Sequence, residues 1–177
     1  GKGGVGKTSV AAATAPTGSV RIINTASDAS EMIDGRDWTY DKLVENFSPG
    51  AAYCYGKLAN VLFTYELARR LAGTGVTANV LHPGVVRTRF GAEDPARLTN
   101  LLVPIARLFM KTPEQGAATP VYLASSPEVE GVTGRYFANG KPKRSAERSY
   151  DTDAAARLWS VSAKLVGLPE GQRGAAS

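Results

Sequence analysis

The sequence predicts an α/β fold, a parallel sheet with helices packed on both faces. Three observations carry this reading. Short apolar, β-branched runs at residues 20–26, 76–81 and 134–138 have the length and composition of buried strands. Stretches with the helical spacing of apolar residues lie between and after them. Strand and helix alternate along the chain, the order that produces parallel pairing through helical crossovers. The composition agrees: 177 residues, 43% hydrophobic and 21% charged, make one soluble domain. A chain of this size buries roughly 70% of its unfolded surface.

Each element follows from local signals. Residues 1–8, Gly-Lys-Gly-Gly-Val-Gly-Lys-Thr, stand apart from the rest. An alanine-rich link at 9–15 leads to a turn signal at Pro16-Thr17-Gly18. Residues 20–26 form the first strand. Residues 28–50 are polar, with Trp38 and Tyr40 among them, and read as a long loop with at most one helical turn near 40–46. The clearest helix covers 51–72, with apolar residues at Leu58, Val61, Leu62, Tyr65, Leu67 or Ala68, and Leu71, and Gly73 as its stop. The strand at 76–81 is halted by His82-Pro83-Gly84, and 96–110 is apolar and helical. Thr112, Pro113 and Gln115 mark a further helix start: an N-cap, a first-turn proline and a capping-box partner. That helix runs to about residue 124. A third strand covers 134–138, and an amphipathic helix covers 151–166, ended by Gly167 and Pro169. Three strands are few for this much helix, so part of the sheet is expected to be missing.

Composition removes several classes of function. A single cysteine, Cys54, excludes a disulfide scaffold and a cysteine metal cluster, and a single histidine, His82, leaves no histidine-rich metal site. No metal is expected; Cys54 reads as a small buried or half-buried thiol and His82 as structural. Apolar runs fall short of the roughly 20 residues that span a membrane. Nothing at the start reads as a signal peptide, so a cytoplasmic protein without membrane contact is expected. The net charge of +5 comes wholly from residues 61–177, and residues 1–60 are neutral. Its densest cluster, Arg135, Lys141, Lys143, Arg144 and Arg148, is interrupted by acids and aromatics and has no nucleic-acid motif beside it. It reads as solvated surface, with no nucleic-acid partner. Trp38 and Trp159 read as packing anchors, and the helix at 51–72 is a candidate for packing in a homodimer.

Chemistry gathers at three places. Tyr53 and Lys57 are four apart and so share a helix face. An ammonium beside a phenol favours the phenolate, which makes such a pair a general acid/base for a carbonyl or alcohol oxygen. Ser27 directly follows the first strand, at the carboxyl edge where α/β sheets present functional side chains. A hydroxyl there can donate to a substrate oxygen. The second strand runs into Pro83-Gly84-Val85-Val86-Arg87-Thr88, which turns the backbone away and leaves amides and a hydroxyl at the same edge.

These residues stand in a longer pattern. It comprises Arg21-Ile-Ile-Asn-Thr-Ala-Ser27, Tyr53-Cys-Tyr-Gly-Lys57-Leu-Ala-Asn60 and Leu62-Phe-Thr-Tyr-Glu-Leu-Ala-Arg-Arg-Leu71. It continues with Gly73-Thr-Gly-Val-Thr-Ala-Asn79, His82-Pro-Gly-Val-Val-Arg-Thr88, Pro113-Glu-Gln-Gly116 and Tyr122-Leu-Ala-Ser-Ser-Pro127. Over about four-fifths of its length the chain resembles the C-terminal half of a short-chain dehydrogenase/reductase, in the retinol-dehydrogenase-like branch. The resemblance implies a Rossmann-like parallel sheet with flanking helices, lacking the N-terminal half of the fold. It implies a small-molecule carbonyl or alcohol substrate and NADP or NAD as cofactor. By the same resemblance Tyr53 is the acid/base, Lys57 supports it and binds the nicotinamide ribose, and Ser27 orients the substrate carbonyl. Pro83, Gly84, Val86 and Thr88 lie against the nicotinamide carboxamide and phosphates. The family's nucleotide fingerprint, its NAD/NADP-selecting residue and the Asn of its catalytic tetrad have no counterpart in the sequence. A truncated oxidoreductase, weak or inactive by itself, is therefore expected. The first strand is expected to leave an unpaired apolar edge.

Gly1 to Thr8 match the phosphate-binding P-loop pattern. With its extra Lys2 the segment resembles the variant loop of the arsenite-pump and septum-site ATPases, in which Lys7 would reach phosphates and Thr8 a Mg²⁺. The sequence thus divides into residues 1–18, a P-loop-like segment of foreign origin, and residues 19–177, the dehydrogenase-like part. An ATP-binding fragment and a non-catalytic remnant are the competing functions.

Overall fold

The computed structural model describes residues 10–14, 19–33, 48–84 and 111–168. The glycine-rich start, the helix expected at 96–110, and Trp38 and Tyr40 lie outside them. Among the described residues five strands form one sheet: β1 (Val10–Thr14), β2 (Val20–Thr25), β3 (Thr77–His82), β4 (Tyr136–Ala138) and β5 (Lys141–Lys143), side by side in that order. Three helices accompany it: α1 (Pro49–Arg70), α2 (Pro113–Ser125) and α3 (Thr152–Leu165).

The centre of the sheet is parallel, as expected. β2 aligns with β3 from Arg21↔Thr77 to Thr25↔Leu81, and β3 aligns with β4 from Val80↔Tyr136 to His82↔Ala138. Both outer pairings are antiparallel. β1 folds back on β2 in the register Val10↔Asn24 to Thr14↔Val20. This corrects two expectations: within the stretch read as a link, residues 10–14 form a strand, and the outer edge of β2 is not left unpaired. Backbone groups stranded there would lack partners, and the preceding segment supplies them. It also starts a strand at Val10, two residues after Thr8, where a P-loop requires a helix.

The second antiparallel pair, β4 and β5, is a hairpin closed by Asn139 and Gly140, with φ of 52° and 71°. Two left-handed residues of this kind match the twist of the strands they join. β5 reads Lys-Pro-Lys, a composition that discourages further pairing at a sheet edge.

Helix boundaries follow their caps. α1 starts two residues earlier than the periodicity implies, because the Ser48 hydroxyl accepts from Ala51 N–H and Pro49 occupies the first turn. α2 carries the full capping box, with Thr112 and Gln115 each bonded to the other's backbone N–H. Asp151 caps α3 by accepting from Ala154 N–H.

The core has three parts. Val61 and Tyr65 of α1 pack on Ala26, Val80 and Tyr136 on one face of the sheet. Leu123 of α2 meets Ile23, Leu81 and Phe137 on the other. Behind α1, residues Cys54, Leu58 and Leu62 pack against Ala154 and Ala155 of α3. Trp159 stacks on Phe63 at 5.2 Å with the Arg70 guanidinium 4.6 Å from its ring, the packing role expected of it. Cys54 is a buried free thiol, also as expected. Arg21, 3% exposed, reaches from β2 to the C-terminal end of α2. It donates to Leu123 O and Ser126 O and pairs with Glu130 at 2.6 Å.

Candidate active site

Asn60, one turn beyond Lys57 on α1, donates to Thr25 O at the carboxyl end of β2. Asn24 donates to Thr64 Oγ1, which in turn donates to Asn60 O. These bonds fix α1 against the strand end that leads into Ser27. The sequence reading assigned Asn60 no role; its spacing of three from Lys57 was the available signal.

Tyr53 and Lys57 do share a face of α1. The Lys57 Nζ lies 5.4 Å from the centre of the Tyr53 ring, and Lys57 is 7% exposed. Burial pushes its ammonium below the ordinary lysine value. Tyr53 packs on the cluster behind α1, and so does Ala29, two residues beyond Ser27.

Ser27 begins a turn of 3₁₀ helix, Asp28–Ile33, in the stretch read as open loop. Its Oγ accepts from Ala29 N–H, which leaves the hydroxyl proton directed elsewhere, and its carbonyl accepts from Ser30 N–H and Ser30 Oγ. The next residue, Asp28, is the hub of a polar cluster. Asp28 accepts from Tyr136 Oη at 3.0 Å, lies 3.0 Å from His82 Nε2 and 3.5 Å from Lys143 Nζ, and Lys143 also pairs with Glu31. Burial, reinforced by the Asp28 carboxylate, drives the Tyr136 phenol far above its usual range. His82 joins this cluster because β2 and β3 run parallel and end together, which strand alignment alone could have indicated.

Pro83 and Gly84 follow β3 at the same edge. Gly84 has φ +88°, a conformation that suits glycine. Lys111 lies across this turn: its Nζ donates to Pro83 O at 3.2 Å and to Asn139 Oδ1 at 2.5 Å. A Cβ on Gly84 would stand 2.8 Å from the end of that side chain. Nothing in the sequence signalled Lys111. Val86 and Thr88 lie outside the described residues, as do Lys7 and Thr8. Among the described residues no group of acids, histidines or cysteines could hold a metal ion, and no helix is long and apolar enough to cross a membrane.

The structure thus brings Ser27, the Tyr53–Lys57 face and the Pro83–Gly84 turn to one end of the sheet. The side chains offered there are hydroxyls and an ammonium, suited to a ligand rich in oxygen acceptors.

No family model matches the sequence. Individual proteins do. The human protein named retinol dehydrogenase 14 is 46% identical over 144 residues, covering 79% of this chain and 43% of that protein. Human retinol dehydrogenase 13 is 44% identical over 154 residues, covering 84% and 46%. The chain therefore spans less than half the length of these relatives. Among solved structures, an uncharacterised protein of Mycobacterium paratuberculosis superposes with a TM-score of 0.52 at 27% identity, covering 84% of this chain and 50% of that one. Over the four-fifths that matches, the chain is similar to short-chain dehydrogenase/reductases of the retinol-dehydrogenase branch.

Proposed function

We propose that these residues form the catalytic half of a nicotinamide-dependent oxidoreductase acting on a carbonyl or alcohol. The observation that carries this is the buried Lys57 ammonium against the Tyr53 ring, on a helix held to the strand end that bears Ser27. When bound, the nicotinamide supplies or accepts the hydride at the substrate carbon. In the reducing direction the Tyr53 phenol gives its proton to the carbonyl oxygen, and in the oxidising direction it takes that proton back. The Ser27 hydroxyl, set by the Ala29 N–H, donates to the same oxygen as charge develops there. Lys57 places a positive charge beside the phenol and presents donors to ribose hydroxyls. By the resemblance, Pro83, Gly84, Val86 and Thr88 face the carboxamide and phosphates of the cofactor, and the Lys111 side chain that covers the Gly84 turn swings aside to admit it.

The hydroxyl and ammonium donors fit such a cofactor; NADP and NAD are both accommodated by this reading. The names of the relatives make a retinol-like alcohol or its aldehyde the first substrate to try. The chain spans less than half of those relatives, so weak turnover is expected of the 177 residues alone. We also read residues 1–18 as a segment of separate origin, on the P-loop-like pattern of Gly1 to Thr8, and the remainder as a cytoplasmic protein able to dimerise. The test is reduction of retinal and simpler aldehydes with NADPH and NADH. Tyr53→Phe should abolish it, and an unchanged rate in that variant would overturn the assignment.

A further inference from the structure

We infer that His82 is a positioning residue for Ser27, its neutral imidazole gripping both the backbone amide and the carboxylate of Asp28. The inference rests on the proposed role of Ser27, but its geometry stands apart from cofactor or substrate. His82 is the last residue of β3, beside the end of β2. The Asp28 N–H donates to His82 Nδ1 at 3.3 Å, and Nε2 lies 3.0 Å from Asp28 Oδ2. An Nδ1 that accepts carries no proton, so the ring proton sits on Nε2 and is donated to the carboxylate. One tautomer of the neutral ring satisfies both contacts.

The amide in question belongs to the peptide joining Ser27 to Asp28. Its two ends are pinned: the Ser27 carbonyl by Ser30 N–H and Ser30 Oγ, the Asp28 N–H by the imidazole. The Ser27 hydroxyl takes its direction from Ala29 N–H in that same turn. Releasing the imidazole would free one end of the peptide and loosen the aim of the hydroxyl. The charged and titratable groups around the ring come from every neighbouring element: Asp28 and Glu31 from the 3₁₀ turn, Tyr136 through Asp28, Lys143 from β5, and Lys111 ahead of α2. Burial lowers the basicity of the imidazole, Asp28 and Glu31 oppose this, and the two lysines add to it, so the net direction is down. Protonation at Nδ1 would turn the acceptor into a donor and break the bond to the Asp28 amide while keeping the contact with its carboxylate.

His82 is the sole histidine of the chain, so nitrogen-15 NMR of the purified protein reads a single imidazole, without cofactor or substrate. The expected result at neutral pH is the Nε2–H tautomer. On acidification the ring should titrate below its ordinary value, and the amide signals of Asp28, Ala29 and Ser30 should shift with the same midpoint. His82→Asn, whose side-chain oxygen can replace Nδ1 as acceptor, should keep those amides near their original positions. His82→Ala should displace them while the Trp159 indole signal stays in place. An Nδ1–H tautomer in the unaltered protein would overturn the inference, as would amides at 28–30 that ignore the titration of His82. Failure to bind nicotinamide nucleotides would count against the proposed function and leave this result intact.

Discussion

Lys57 stands one helical turn beyond Tyr53 with its Nζ 5.4 Å from the ring centre, and only 7% of the residue is exposed. A buried ammonium without a carboxylate partner among the described residues costs stability, so its presence at this position points to function. Burial lowers the lysine pKa, so between the folded value and 10.5 the unfolded chain binds more protons and stability rises with pH. Lys57→Met should therefore raise stability at neutral pH by about 1 kcal/mol and flatten that alkaline rise. Urea unfolding at several pH values measures both, and a parallel nucleotide titration should show weaker binding.

His82 gives a second pH dependence with the same sign. Its folded pKa lies below 6.5, so the unfolded chain takes up the proton first as pH falls. Stability should drop from 6.5 down to the folded value and then level off. His82→Asn should remove that drop, as read from urea midpoints between about pH 7 and about pH 5.

Arg21→Met should destabilise the fold by about 2–3 kcal/mol, because it strips partners from Leu123 O and Ser126 O and leaves the end of α2 open. Glu130→Gln should cost less, about 1 kcal/mol or under, since that carboxylate is 40% exposed and water can replace its partner. Thermal unfolding of both variants checks the order.

Gly84→Ala should cost about 1 kcal/mol, mostly from the φ of +88°, since the end of the Lys111 side chain can move aside. Its larger effect should be on nicotinamide binding, because the turn would carry a methyl group where the cofactor is proposed to lie. Comparing the change in dissociation constant with the change in unfolding midpoint separates the two.

Much of this was legible in the residues. The parallel centre of the sheet followed from the apolar runs, and the Thr112–Gln115 box marked the start of α2. The pairing of Tyr53 and Lys57 followed from their spacing of four. The two outer strands were not anticipated, for different reasons. β5 was signalled by Asn139-Gly140, a strong hairpin dipeptide, but three residues reading Lys-Pro-Lys carry no strand composition of their own. β1 is mostly alanine, a poor strand former, and adopts this state because the open edge of β2 demands partners. The Asp28 hub arises from tertiary pairing: Asp28 is drawn to His82, Tyr136 and Lys143, at sequence separations no local pattern encodes.

The most direct test of the central claim is calorimetric titration of the folded chain with NADPH, NADH and Mg-ATP, repeated with Lys57→Met. A nicotinamide nucleotide should bind, and should bind about tenfold more weakly to the variant, the equivalent of about 1.4 kcal/mol. A folded sample that binds Mg-ATP alone, or a nicotinamide nucleotide equally well with and without Lys57, would contradict that claim.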